Sequence, residues 1–274
     1  PPKQDPAMAQ WRRKLLNVPD EPDDAGKFDL VVVGGGMAGC CTAVSAARLG
    51  CKVALIQIRP VLGGNNSSEV RVGLSGLIHQ QPYPRLGDLV DELGPIGHWN
   101  LWEAKRDPDS PRSKRIFAVI EEHPEKTTHN AGPPSNYEDD QKRRIVEAED
   151  SVRLFLNTHV FRAEKEGNRI TAVIGKDTLT GRELRFRGRL FADCTGDGNL
   201  GCLAGADFRM GREARSETGE ERAPEVADQM VMGTSVQWYT EEEAEPCPFP
   251  ECPWAVEFNA ETCQRLTRGD WDWE

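Results

Sequence analysis

The stretch Phe28–Gln57, FDLVVVGGGMAGCCTAVSAARLGCKVALIQ, decides the fold of this chain. It begins with an apolar run, Asp29–Val33, that ends in consecutive glycines, and small and apolar residues at helical spacing follow these glycines. A second apolar run, Lys52–Ile58, closes the unit. The pattern predicts a strand, a tight turn, a helix and a second strand.

The glycines have the spacing of a dinucleotide-binding turn, Gly34-x-Gly36-x-x-Gly39. Gly34 permits the sharp turn, Gly36 lets a backbone approach a pyrophosphate, and Gly39 lets the helix pack closely on the strand. Met37 and Ala38 open the helix, whose free N–H groups and positive dipole end would face a phosphate. The turn therefore predicts a nucleotide cofactor; the alternative is a βαβ unit with a glycine turn and no ligand.

Gln57 lies at the end of the second predicted strand, 23 residues after Gly34. A carboxylate usually occupies this position and accepts hydrogen bonds from the ribose hydroxyls. An amide oxygen can also accept from a hydroxyl, so we expect Gln57 to contact the adenosine half of the cofactor without a charge.

A polar loop, RPVLGGNNSSEVRVGLSG (residues 59–76), follows this strand. Its paired glycines permit close backbone approach, and the short polar side chains after them offer hydrogen bonds to the far half of a dinucleotide. Flanking arginines are suited to a phosphate or a substrate carboxylate. The alternative is an ordinary turn. The candidate ligand residues of this loop are Arg59, Gly63, Gly64, Asn65, Asn66, Ser67, Ser68 and Arg71.

The rest of the chain predicts helices, an antiparallel meander and a second glycine turn. A buried strand is expected over 190–194, and it ends in Thr195-Gly196-Asp197-Gly198. The other predicted strands are 152–156, 158–165, 169–176, 182–187 and 230–239, and the predicted helices are 86–93, 99–105, 115–121 and 137–150. These elements suggest an arm or linker over 1–27, a nucleotide-binding domain over 28–93 and 139–206, an insertion over 94–138, and the start of a substrate or cap domain over 207–274.

The composition of the chain argues against several kinds of partner and site. The 274 residues carry a formal charge of −11, which argues against a nucleic-acid partner, and no apolar run approaches the length of a membrane span. Eight cysteines are scattered along the chain, and Cys247, Cys252 and Cys263 lack the close pairs of a zinc site. We therefore expect no metal centre and no membrane span.

Three segments together, VVVGGGMAGCCTAVSAARLG, VALIQIRPVLGGNNSSEVRVG and FADCTGDGNLGCLAGADFRMGREA, resemble the FAD-dependent oxidoreductase family related to the fumarate reductase and succinate dehydrogenase flavoproteins. The resemblance covers most of residues 28–240. It implies an α/β fold, with a Rossmann-like FAD-binding domain (a parallel sheet with an antiparallel β-meander crossover) and a partial inserted or substrate domain. Because relatives that attach flavin covalently use a His near the serine loop, and Asn65 and Asn66 stand here, we expect non-covalent FAD.

The resemblance also implies roles for individual residues. The first glycine turn would take the FAD pyrophosphate, and the GG-x-x-S loop would reach toward the flavin. His159 and Val160 would contact the adenine, while Thr195, Gly196 and Asp197 would close the nucleotide site; for Asp197, a helix cap is the alternative. The resembling proteins continue well beyond this length, so we expect the chain to be part of a longer protein.

The expected activity is flavin-mediated hydride transfer on a small polar metabolite or sugar, with an electron acceptor of unspecified kind. The candidates for substrate contact or proton movement are Glu69, Arg71 and His79, with Arg71 as a clamp for an anionic substrate. An NAD-binding dehydrogenase and a non-catalytic nucleotide-binding fragment remain alternatives, and an oligomer is compatible with the pattern.

Overall fold

The computed structural model describes residues 6–15, 17–74, 81–94, 101, 104–124, 130, 132–233, 244–248 and 251–254. The chain divides into two compact units, Pro1–Gln237 and Trp238–Glu274. Within the second unit, the described residues 244–248 and 251–254 form no helix or strand.

The first unit contains helices and strands in mixed order. Its described helices are α1 (Pro6–Leu15), α2 (Met37–Arg48), α3 (Asp88–Leu93), α4 (Pro111–Glu122), α5 (Asp139–Glu147), α6 (Asn199–Ala204) and α7 (Arg215–Thr218), with 3-10 helices at Pro84–Gly87 and Pro134–Tyr137. Its strands are β1 (Asp23–Val33), β2 (Val53–Ile56), β3 (Val152–Phe155), β4 (Thr158–Glu166), β5 (Arg169–Asp177) and β6 (Glu183–Asp193). No described helix is long and apolar enough to cross a membrane.

The strands form one six-stranded sheet in the order β3-β2-β1-β6-β5-β4. The first four in this order run parallel, and β5 is antiparallel to both β6 and β4. Val32 of β1 lies opposite Leu55 on one side and Ala192 on the other, so the first predicted strand is the centre of the parallel region. The predicted α/β fold with a parallel sheet and an antiparallel meander is confirmed.

Each face of the sheet is covered by apolar side chains. Cys40, Ala43 and Val44 of α2 are fully buried against one face, which explains the small residues in the predicted helix. On the other face, the rings of Phe155 and Phe186 lie edge to face with centroids 4.8 Å apart. Apolar burial on both faces is what a mostly parallel sheet requires.

The returning strand differs from the prediction. Residues 182–187 and 190–194 were predicted as two strands, but both belong to the single strand β6. The reason is that β1 begins at Asp23, inside the segment predicted as an arm, and its early residues pair with the first half of β6. Nor is the second half a buried strand, because the Leu190 side chain is 63% exposed.

Other predicted elements are found with shifted bounds. The predicted helices over 86–93, 115–121 and 137–150 correspond to α3 with its preceding 3-10 turn, α4 and α5. Residues 230–233 form no strand, and residues 234–239 of that predicted strand lie outside the described part, as does most of the predicted helix over 99–105. An unpredicted helix, α1, precedes β1, and the Arg13 side chain joins it to Glu183 by a 2.8 Å ion pair.

The first glycine of the turn joins β1 to the end of β6. Gly34 has φ +105°, and a Cβ added to it would lie 2.2 Å from the carbonyl oxygen of Cys194. Both the dihedral angle and the space at this position therefore require glycine.

We expect Gly34→Ala to lower the free energy of unfolding by about 3 kcal/mol or more, because a backbone clash adds to the left-handed strain. Gly50→Ala is the control, since Gly50 has φ +87° but an added Cβ meets nothing within 4 Å; it should cost only about 1–2 kcal/mol. Urea unfolding measures both values, and equal losses would show that the β1–β6 contact is not tight.

Candidate cofactor-binding site

A cavity of about 550 Å³ lies at the carboxyl ends of β1, β2 and β6. Parallel α/β sheets bind ligands at this edge, in the crevice outside their strand ends. The volume is within the range of about 300–1,000 Å³ that is typical of ligand and cofactor pockets. All cofactor residues predicted from the sequence line the cavity, except Gly39, Ser68 and Asp197.

The amino terminus of α2 forms one wall of the cavity. Gly36 is its N-cap, no described side chain caps the helix, and its first turn contains no acidic residue. Gly64 faces it so closely that an added Cβ would lie 3.1 Å from the Cα of Gly36. An uncapped helix start bordered by bare backbone is suited to a phosphate or diphosphate group.

Gln57 connects the two glycine-rich segments. Its Oε1 accepts a hydrogen bond of 3.0 Å from the N–H of Gly35, and its Nε2 donates one of 3.1 Å to the carbonyl of Val61. The side chain is buried, so both bonds are shielded from water. Gln57 lines the cavity, and its amide holds the first turn against the polar loop.

Residues 63–72, here called the cofactor loop, are folded by their own polar groups. Ser67 Oγ donates to the carbonyl of Gly64 over 2.7 Å, and Asn66 Nδ2 donates to the carbonyl of Val72 over 3.0 Å. Asn66 Oδ1 is buried and has no partner among the described residues. An unsatisfied buried acceptor costs about 1–3 kcal/mol, so other contacts must hold the loop in this shape.

Of the two predicted catalytic residues that the structure describes, one lines the cavity and the other does not. Glu69 lines the cavity, and its carboxylate lies 3.7 Å from the guanidinium of Arg59, which also lines it. Arg71 does not line the cavity; its φ is +61°, and its Nε donates to the carbonyl of Ser68 over 3.1 Å. His79 lies outside the described residues.

Three predicted cofactor residues lie away from the cavity for physical reasons. Gly39 is a packing position, because an added Cβ would lie 1.8 Å from the carbonyl oxygen of Gly34. Ser68 directs its N–H and hydroxyl to the carboxylate of Asp139, at 3.1 Å for the N–H. Asp197 is exposed in the second glycine turn.

Asp193 is a site residue that sequence reasoning missed. It is the last residue of β6, and its carboxylate accepts hydrogen bonds from the Thr195 N–H, the Thr195 hydroxyl and the Gly201 N–H at 3.1, 2.7 and 2.9 Å. It thereby shapes the Thr195-Gly196 turn that borders the cavity. The Asp-x-Thr spacing was the available signal, because a carboxylate often accepts from the N–H two residues later.

The hydrogen bonds of Asp193 outweigh its burial. Burial opposes ionisation, but the backbone N–H of Gly201 and the groups of Thr195 hold the pKa of Asp193 below its ordinary value. A lowered folded-state pKa means that the ionised form stabilises the fold above the unfolded pKa. That contribution is lost as the pH falls through the folded-state pKa.

The described part of the chain contains no group of three His, Cys, Asp or Glu side chains placed to hold a metal ion. Its seven described cysteines are free thiols, and burial raises the pKa of Cys40 to about 12. The hydrogen-bond donors on the cavity lining include backbone N–H, amide, hydroxyl, imidazole and guanidinium groups. Such donors fit the diphosphate and hydroxyl groups of a dinucleotide.

Known proteins resemble this chain to different extents. The sequence model of the family described as FAD dependent oxidoreductase matches residues 29–271. A segment of 119 residues is 29% identical to the tRNA uridine 5-carboxymethylaminomethyl modification enzyme MnmG of Roseiflexus castenholzii, covering 38% of this chain and 16% of that enzyme.

Among solved structures, the myxobacterial chondrochloren halogenase CndH matches with a TM-score of 0.40 and 22% identity, covering 64% of this chain and 38% of that one. The glycerol-3-phosphate dehydrogenase of Bacillus halodurans, solved in complex with FAD, matches with a TM-score of 0.41 and 16% identity, covering 66% of this chain and 37% of that one. The chain thus spans well under half the length of these relatives.

We expect Asp193→Asn to lower the free energy of unfolding at pH 7 by about 1 kcal/mol, since bonds from an exposed carboxylate to the second turn are weakened. The difference from the unaltered chain should shrink as the pH falls below about 4 and the carboxyl becomes protonated. Urea unfolding at several pH values measures this. Asp207→Asn, at an exposed position, is the control; a difference that stays constant with pH would contradict the assignment.

Proposed function

The chain belongs to the FAD dependent oxidoreductase family, and from that premise we propose that its cavity binds FAD non-covalently for the oxidation or reduction of a small polar metabolite or sugar. The observation that carries the proposal is the uncapped start of α2 opposite the bare backbone of Gly64. Both features are needed where a diphosphate approaches a chain closely.

The proposed orientation places the diphosphate of FAD at Gly36 and the first turn of α2. The adenosine half lies toward Gln57, His159 and Val160, which line the cavity. These residues are neighbours, because the N–H of Thr158 donates to the carbonyl of Gln57 over 2.9 Å. The flavin half lies toward the cofactor loop, where Asn65 lines the cavity. Thr195 and Gly196 border the cavity from the end of β6.

FAD when bound supplies the hydride-transfer chemistry; the protein supplies orientation, electrostatics and a group that moves a proton. Among the described residues, Glu69 is the candidate for moving the proton, because it lines the cavity and its carboxylate lies 3.7 Å from the guanidinium of Arg59. Arg71 and His79 remain predictions as substrate contacts, and the geometry does not place Arg71 at the cavity.

The alternatives are less well supported. An NAD-binding dehydrogenase would be favoured by an acid at position 57, where this chain has an amide that holds the glycine turn. The tRNA-modifying relative raises the possibility of a nucleic-acid substrate, but the charge of −11 argues against such a partner. A non-catalytic nucleotide-binding role would retain the cofactor without turnover.

We expect the purified chain to bind FAD and to show a flavin absorption spectrum that is released on denaturation, because the attachment is non-covalent. Adding NAD⁺ in excess should not displace it. A chain that takes up no FAD at micromolar concentration would contradict the proposal, and pigment that stays with the denatured chain would contradict non-covalent binding.

Gly36→Ala should weaken FAD binding by about ten-fold or more, since a methyl group would occupy the space of the diphosphate. The fold should be retained, because an added Cβ meets only the Cα of Gly64 at 3.9 Å. Gly201→Ala is the matched control, with neighbours at 3.8 and 3.9 Å and a position outside the cavity lining. Fluorescence titration of FAD gives both dissociation constants, and equal values would place the diphosphate elsewhere.

A further inference from the structure

The cofactor loop is held in an unfavourable conformation. The backbone of Arg71 lies in the left-handed region at φ +61°, which residues other than glycine rarely occupy. Asn66 Oδ1 is buried without a partner among the described residues. Local strain of this kind persists only where the surrounding structure enforces it, and it is concentrated at functional sites.

The enforcing contacts come from a segment far away in sequence. The hydroxyl of Tyr137 donates to the carbonyl of Arg71 over 2.6 Å, and the carboxylate of Asp139 accepts from both the N–H and the hydroxyl of Ser68. Tyr137 ends a 3-10 turn, and Asp139 begins α5. Tyr137 lies at the end of the region predicted as an insertion, and Asp139 follows directly after that region.

A buried lysine supports this segment from within. The Lys142 side chain is fully buried, and its Nζ donates to the carbonyl of Tyr137. The same side chain packs behind the loop, because a Cβ added to Gly63 would lie 3.0 Å from Lys142 Cε. Lys142 therefore touches both the segment and the loop that the segment holds.

The contacts reach the cavity lining through the backbone. Tyr137 holds the carbonyl of Arg71, and the next residue, Val72, accepts from Asn66 Nδ2 and donates its N–H to the carbonyl of Asn65 over 2.9 Å. Asn65 and Asn66 both line the cavity, whereas Tyr137 and Asp139 do not. A shift of Tyr137 would thus move cavity-lining side chains without any direct contact to a ligand.

We propose that Tyr137 and Asp139, supported by Lys142, are positioning residues that hold the cofactor loop in the shape in which it receives FAD. The inference rests on the proposed function, because FAD is the ligand whose binding reports the loop shape. It assigns to the junction between the insertion and α5 a role in cofactor binding that the glycine motifs do not contain.

The test uses the full chain with Tyr137→Phe, Asp139→Ala and Asp139→Asn. Tyr137→Phe removes one hydroxyl and should weaken FAD binding about five-fold, and Asp139→Ala should weaken it about ten-fold or more. Asp139→Asn keeps an oxygen that can accept from Ser68 and should restore part of the affinity. Ser113→Ala is the control, because this buried hydroxyl bonds to Ser110 at the start of α4 and does not line the cavity.

Amide hydrogen exchange in the cofactor-free protein is the second readout. The Ser68 amide should exchange about ten-fold faster in Asp139→Ala, and the amides of Arg71 and Val72 should exchange about five-fold faster in Tyr137→Phe. If Tyr137 and Asp139 only stabilised the fold, their variants would lower the melting temperature, as Ser113→Ala would, and would leave the FAD affinity unchanged.

The outcomes separate this inference from the proposed function. Unaltered FAD affinity in Tyr137→Phe and Asp139→Ala, or unaltered exchange in the loop, overturns the positioning role. Failure of the unaltered chain to bind FAD overturns the proposed function instead, and exchange in the cofactor-free protein still decides whether the two residues hold the loop.

Discussion

Close approach of backbone to backbone at the carboxyl ends of β1, β2 and β6 is the constraint on which this structure depends. A Cβ at Gly34 would meet the carbonyl of Cys194, one at Gly39 would meet the carbonyl of Gly34, and one at Gly63 would lie 2.1 Å from the carbonyl of Asn66. The first contact joins the first glycine turn to the end of β6, and the other two keep the turn and the cofactor loop tight. The loop also approaches the turn closely, because a Cβ added to Gly64 would lie 3.1 Å from the Cα of Gly36. The space left in front of them is the cofactor cavity, and α2 begins at its wall.

Glycine turns alone would not keep a defined shape, because glycine increases the conformational freedom of the chain. Here, polar side chains outside the glycine motif restrain each turn. The Gln57 amide bonds to the first turn and to the cofactor loop, the Asp193 carboxylate shapes the second turn, and Tyr137 and Asp139 restrain the loop from behind. The cavity is therefore pre-shaped by hydrogen bonds from residues that mostly do not line it.

The charge around the start of α2 differs from the net charge of the whole chain. The formal charge is −11, yet the first turn of α2 contains no acidic residue, so the positive end of that helix dipole is not neutralised. On the cavity lining, the carboxylate of Glu69 is paired with the guanidinium of Arg59. In the orientation that we propose, an anionic cofactor can bind this acidic chain because the groups nearest its diphosphate are backbone N–H donors.

The sequence by itself determined the strand, turn and helix of residues 28–57, the antiparallel meander and most of the cavity lining, since glycine spacing and hydrophobic periodicity are local signals. Only the tertiary structure decided that residues 183–193 form one strand, because that depends on pairing with the early residues of β1. It also decided that Ser68 bonds to Asp139 and that Arg71 bonds back to Ser68. The same is true of the bonds by which Asp193 shapes the second turn and Tyr137 restrains the cofactor loop. Contacts between Tyr137 and Arg71, 66 residues apart, leave no periodic pattern in the sequence, and so only the folded chain reveals them.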